Sequence, residues 1–170
     1  MGDLSEHFAK REFACKCGKV HDFTIDKELI EKLEKLHKLT AATAIYITSG
    51  YRCPEYSKSV GGYFNDAHTK GIAADIVIDG KYNRLSSEAV AEAAERCGFT
   101  GIGIIDNTAV HVDVRNNNNY VNPHWFGDER SGNDNIKTFI TGRKFDGEET
   151  AKGHKLTIMI DDEIITERMI

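Results

Sequence analysis

The spacing of apolar residues changes several times along this chain, and each change marks an element. Residues 27–39 carry Leu29, Ile30, Leu33 and Leu36 at the three-to-four-residue spacing of one helical face. Thr24 or Asp26 stands ahead of them as an N-cap. His37 sits beside the stripe and reads as a surface or hydrogen-bonded histidine. Residues 44–48, with Ile45, Tyr46 and Ile47, read as a short strand broken by Ser49 and Gly50. Pro54 suits the first position of a short helix that Gly61 and Gly62 end. Residues 73–78 form an apolar run closed by Asp79 and Gly80, the pattern of a buried strand. Ser86 or Ser87 caps a second long helix, which Gly98 stops. Its Ala89, Ala91, Ala93 and Ala94 suit close packing on a sheet. Residues 101–105 and 110–114 read as a hairpin around Asp106 and Asn107. The second of these strands alternates strictly: Val110, Val112 and Val114 face one side, and His111, Asp113 and Arg115 face the other.

Outside these elements the pattern loosens. Residues 3–23 are irregular, with Leu4, Phe8, Phe13 and Phe23 as apolar anchors. The asparagine-rich run at 116–119 reads as a solvated loop. Residues 127–153, rich in Gly, Asp and Lys, read as a flexible segment. Two short apolar runs around Asp161, Asp162 and Glu163 read as a terminal hairpin. The organisation predicted is one domain over residues 1–126, a flexible segment over 127–153, and a C-terminal hairpin or tail over 154–170. The fold class is α+β: a small, mainly antiparallel sheet with helices on one face and the chemistry on the other.

A length of 170 residues supports one ordinary domain with a full core. The net charge of −5 argues against a general nucleic-acid binder and leaves no basic stripe for a membrane surface. No apolar run approaches a membrane-spanning length, so no membrane insertion is expected. The first residues lack the basic-then-apolar pattern of a signal peptide.

The candidate chemistry centres on His68 and Asp75, seven residues apart, and on His111. An aspartate entering an apolar strand is costly unless it is paired or binds a cation. Two histidines and one aspartate on rigid strands can hold zinc with one position left for water. Hydrogen bonding alone is the structural alternative. Cys15 and Cys17, with His21 nearby, are ligand types without an obvious fourth member, and small buried thiols are the other reading. A Cys53–Cys97 bridge cannot be assigned from sequence.

The order His68-x-x-Gly71-x-Ala73-x-Asp75, then His111-Val112-Asp113, resembles the zinc D-Ala-D-Ala carboxypeptidase family. So do Ser5-Glu6-His7-Phe8, Thr48-Ser49-Gly50-Tyr51-Arg52-Cys53-Pro54, Gly61-Gly62 and the Gly98–Gly103 stretch, and the likeness spans residues 4–126. These cell-wall peptidases include L-alanyl-D-glutamate endopeptidases and share a core fold with the hedgehog signalling domain. The resemblance implies a Zn2+ metallopeptidase acting beside a D-amino acid in peptidoglycan stem peptides. It would be a D,D-carboxypeptidase or an endopeptidase, either a phage lysin made in the cytoplasm and released to act at the cell wall or a piece of a longer chain. His68, Asp75 and His111 match the family's metal ligands one by one, and Arg52 matches an arginine near the substrate. A guanidinium can grip a peptide carboxylate through two parallel hydrogen bonds. The family often has a Trp near this point, so the resemblance implies that Trp125 walls the cleft.

Two departures stand out. The Glu or His common before the last zinc histidine is absent, since Thr108, Ala109 and Val110 precede His111. Asp113, as base, as a partner orienting an imidazole or as a partner of Arg115, and Asp106, as base, are the candidates left. Asp66 stands where the family usually has serine and adds negative charge near the metal. The alternative function is a non-catalytic, zinc-containing cell-wall binding module.

Overall fold

The computed structural model describes residues 2–116, 120, 122–145, 159–160 and 163–164. Helix α1 (Lys27–Leu39) starts where the Asp26 side chain accepts from Glu28 N at 2.8 Å. It buries Leu29, Ile30, Leu33 and Leu36. Strand β1 (Ala44–Ser49) and the short helix α2 (Pro54–Ser59) follow, then β2 (Ala73–Asp79). Helix α3 (Ser87–Cys97) is capped by Ser86 and ends at Gly98, whose φ of 87° suits glycine. Strands β3 (Gly101–Ile104), β4 (Val110–Asp113) and β5 (Trp125–Asp128) complete a five-stranded sheet in the order β1-β2-β4-β3-β5.

Every pairing in this sheet is antiparallel except β3 with β5. Register sorts the side chains into two faces. Ile76 pairs with Val110, Ala74 with Val112, and Ile102 with Val112, so these residues share a face with Ile104, Ile45 and Phe126. All of them are buried, and α3 packs against β3, β4 and α1 to close that core. The opposite face carries Asp75 beside His111, and Gly101 beside Asp113. The molecule is therefore α+β, with its long helices on one side of a mainly antiparallel sheet and its polar row on the other.

The chain beyond residue 126 departs from expectation. The boundary predicted there falls inside β5, because Trp125–Asp128 pair along β3. Residues 138–141 then lie on α3. The Glu95 carboxylate accepts from Phe139 N at 2.5 Å, from Thr138 Oγ1 at 2.8 Å and from Ile140 N at 3.2 Å. Thr141 Oγ1 donates to the buried Glu92 at 2.6 Å, and Phe139 packs on Phe126 with ring centroids 5.5 Å apart. Residues that look like free loop in sequence are here, through backbone N–H groups and threonine hydroxyls, the partners of two helix carboxylates. Residues 146–153 of that segment and residues 117–119 of the asparagine run lie outside the described residues. In the tail, β6 (Met159–Ile160) pairs antiparallel with β7 (Glu163–Ile164), and its other residues lie outside the described ones. Among the described residues, no helix is long and apolar enough to cross a membrane.

Candidate metal centre

Strand register does the first part of the assembly. Asp75 on β2 lies directly beside His111 on β4, both on the face away from the helices. His68 arrives from the turn before β2, where its carbonyl accepts from Gly71 N at 3.1 Å. Asp66 holds that turn, since its carboxylate accepts from Thr69 N at 2.9 Å and from the Ser57 hydroxyl. Its charge is thus spent on the turn and on α2.

Both imidazoles are tied back through their outer nitrogens. His68 Nδ1 lies 2.7 Å from the Gly50 carbonyl oxygen, which can only accept, so Nδ1 carries the proton and Nε2 presents a lone pair. His111 Nε2 lies 3.0 Å from Asp113 Oδ2, which assigns its proton to Nε2 and leaves Nδ1 facing inward. His68 Nε2 and His111 Nδ1 are 3.1 Å apart. Asp75 Oδ1 lies 3.2 Å from the first and 3.0 Å from the second. A tetrahedral ion with bonds of about 2.0–2.1 Å spaces its ligand atoms about 3.3 Å apart. The three atoms therefore stand within a few tenths of an ångström of a zinc ligand set.

Electrostatics follow from this crowding. Burial alone would raise the Asp75 carboxyl, but hydrogen bonds and charge from His111 and His68 outweigh it and hold it well below the usual carboxylate range. Burial would lower His111, yet its bonds to Asp113 and Asp75 win and raise it from 6.5 to about 9. Either a proton or a cation is needed between these groups.

Arg52 reaches the set from the loop after β1. Its Nη2 donates to Asp75 Oδ2 at 2.5 Å and lies 3.0 Å from His68 Nε2, while Nε donates to Ser49 Oγ at 2.8 Å. The loop is anchored below by Tyr51 N, which donates to the Phe13 carbonyl at 2.8 Å.

Asp113 is placed differently from a cleft-facing group. It is 0% exposed. Its Oδ1 accepts from Arg115 N at 3.0 Å and Nε at 2.9 Å, and its Oδ2 accepts from His111 and from Arg115 Nη2. The carboxylate therefore sits behind His111, on the ring nitrogen opposite the one facing Asp75. Burial would raise its pKa, but His111 and Arg115 pull it far down. Room for it comes from Gly101, where a Cβ would overlap both carboxylate oxygens. Arg115 in turn lies over the rings of Tyr120 and Trp125, 4.8 and 5.3 Å from their centroids. The Trp125 ring lies across Gly103 and meets His111 edge-on at 6.3 Å. Asp106 stays at the tip of the β3–β4 hairpin, where its Oδ1 accepts from Thr108 N and Ala109 N, both at 2.7 Å. These backbone bonds lower its pKa.

The structure thus brings His68, Asp75, His111 and Arg52 together, puts Asp113 behind His111, and leaves Asp106 in a turn. Sequence reading missed the Gly50 carbonyl and the Arg115–Tyr120–Trp125 stack. The spacing Gly101-x-Gly103 was the available signal for the stack, since two side-chain-free positions on one strand face leave space for large neighbours.

Two imidazole nitrogens and one carboxylate oxygen, from His68, His111 and Asp75, form a group that could hold a metal ion through three protein ligands. The chain belongs to the Peptidase M15 family, whose model matches residues 6–113. It is accordingly a metallopeptidase by family, and the matched span holds Arg52, His68, Asp75, His111 and Asp113. Among solved structures, the L-Ala D-Glu endopeptidase ChiX of Serratia marcescens is similar at 13% identity. That likeness covers 52% of this chain and 79% of the other, with a TM-score of 0.40. No curated protein gives a significant match.

Proposed function

We propose that this protein is a zinc-dependent peptidase that cuts a bond beside a D-amino acid in peptidoglycan stem peptides. The observation that carries the reading is the mutual 3.0–3.2 Å spacing of His68 Nε2, Asp75 Oδ1 and His111 Nδ1, with both outer ring nitrogens already tied back. These three residues are the proposed ligands. When bound there, zinc lowers the pKa of a water towards neutrality and polarises the scissile carbonyl.

The remaining roles fall to the chain itself. Gly50 and Asp113 hold the two imidazoles in the tautomers that leave the inward nitrogens unprotonated. Arg52 stands beside the ligand set and is the proposed donor to a substrate carbonyl or terminal carboxylate. Trp125 walls one side. Asp113 is a positioning residue, because His111 and Arg115 already occupy both of its oxygens. The same observation gives the binding-module reading its footing, since it leaves no spare acceptor there for a water proton.

Mass spectrometry of stem pentapeptide and tetrapeptide incubated with zinc-loaded protein tests the proposal, with His68→Ala alongside. Cleavage by the native chain and none by the variant is expected. Loss of a single terminal alanine makes it a D,D-carboxypeptidase with Arg52 on the carboxylate. A cut between the first alanine and the glutamate makes it an endopeptidase. Intact peptides with a fully loaded metal centre would overturn the proposal in favour of the cell-wall binding module.

A further inference from the structure

A second group of metal-ligand side chains lies away from the centre just described. Cys15 and Cys17 follow the 3-10 turn Lys10–Phe13, His21 comes four residues later, and Cys53 is the residue on which α2 starts. One ligand atom from each of the four lies within 4.8 Å of every other. Cys17 Sγ is 2.9 Å from His21 Nε2. Cys53 N donates to Cys15 Sγ at 3.3 Å, and Lys19 N donates to Cys17 Sγ at 3.4 Å. Backbone N–H groups aimed at sulfur are the donors that a thiolate needs around it. All four cysteines of the chain are free, so no bridge joins Cys53 to Cys97, which is buried at the C-terminal end of α3.

Three thiols and one imidazole make a complete tetrahedral set for zinc. Bonds of about 2.3 Å to sulfur and about 2.0 Å to nitrogen space such ligands about 3.5–3.8 Å apart. The 2.9 Å between Cys17 Sγ and His21 Nε2 and the 4.8 Å upper bound on the other separations bracket that size. A disulfide would use two of the thiols and leave the third, and His21, without a purpose. Lys16 and Lys19 flank the cluster and offset the negative charge that three thiolates bring. A surface cavity lined by Cys17, His21 and Cys53 gives an ion its entry path.

We propose that Cys15, Cys17, His21 and Cys53 form a second, structural zinc site that staples the N-terminal segment to the start of α2. With four protein ligands it has no position for substrate. Binding releases the three thiol protons to solvent. The staple matters to the first centre through chain continuity. Cys53 directly follows Arg52, and Gly50, whose carbonyl orients His68, is three residues before Cys53. Tyr51 between them stacks on Phe23 at 5.0 Å and meets His21 edge-on at 6.1 Å. A metal on the cysteines therefore fixes the backbone from which Arg52 reaches the ligand set.

Metal analysis of the full chain purified without chelator tests this. Two zinc per chain are expected, with one left in His68→Ala. Cobalt-substituted His68→Ala should keep the intense thiolate-to-cobalt charge-transfer absorption that only sulfur ligands give. Thiol titration of the folded native chain should find three more reactive thiols after chelation than before it, with Cys97 protected throughout. Cys17→Ser should lose one zinc and the sulfur absorption. If that variant does not fold, the cobalt spectrum and the titration of the other two proteins still decide. A cobalt spectrum without sulfur bands, equal thiol reactivity with and without chelator, or a disulfide among Cys15, Cys17 and Cys53 would overturn the proposal. Loss of peptidase activity alone would bear on the first centre and not on this one.

Discussion

Asp113 follows His111 by two positions on β4, and the pleat alone would point it into the same cleft. Its neighbours decide otherwise. Gly101 opposite it offers space, and Arg115 folds back onto its carboxylate, so it ends beneath the His111 ring. A carboxylate on the outer nitrogen of a metal-binding histidine fixes the ring and raises its basicity. Asp113→Asn should therefore weaken zinc binding by about 10–100-fold, measured by competition with a chelator. Activity at saturating zinc should fall far less than affinity. Unchanged affinity with lost activity would instead make Asp113 the base. At this scale the resemblance, more than residue type alone, led to the expectation that His68, Asp75, His111 and Arg52 belong together, and they do lie side by side. For Asp113 the sequence left open a base, a partner to an imidazole or a partner to Arg115, because the choice depends on which groups reach its oxygens, and His111 and Arg115 both do.

At the scale of elements, β3 is shaped by what it lacks. Gly101 seats the Asp113 carboxylate, and Gly103 seats the Trp125 ring brought by the parallel neighbour β5. Gly101→Ala should cost about 1–3 kcal/mol of stability through overpacking and should also weaken zinc binding, because Asp113 must move. Denaturant melts and a chelator competition on one preparation would show both effects. A stable variant with native zinc affinity would mean that Asp113 has another place to go. Helices α1 and α3 were readable to within a residue, since periodicity and caps are local. The contacts of residues 138–141 were not, since Glu92 and Glu95 lie more than forty residues upstream of them.

For the whole molecule, the His68–Asp75–His111 cluster proposed to hold the metal joins strands β2 and β4 to the loop after β1, so its protonation state bears on global stability. Without metal, a proton on His111 satisfies Asp75 and Asp113. The folded pKa of about 9 lies above the ordinary 6.5, so this contribution is complete below about pH 6.5 and is lost as pH rises through about 9. The melting temperature of chelator-treated protein should therefore fall across that window. Zinc-loaded protein should not show the fall, because its His111 is already neutral, and it should instead lose stability on acidification as protons displace the metal. Thermal melts at matched pH values, with and without chelator, would compare the two. A flat profile for the metal-free protein would mean that the imidazole–carboxylate cluster is not formed in solution.

What the sequence determined by itself was whatever repeats or terminates locally. It set the spans of α1 and α3, the two faces of β4, the glycine stops, and the residue types able to hold a metal. These follow from the periods of helix and strand and from caps within a few positions. Tertiary structure alone decided which distant groups meet. It set β5 parallel beside β3, turned the Gly50 carbonyl onto His68, buried Asp113 under Arg115, and brought Cys53 to Cys15, Cys17 and His21. Those encounters depend on strand order and register across the sheet and on the path of the connecting loops, which no short window of the chain contains.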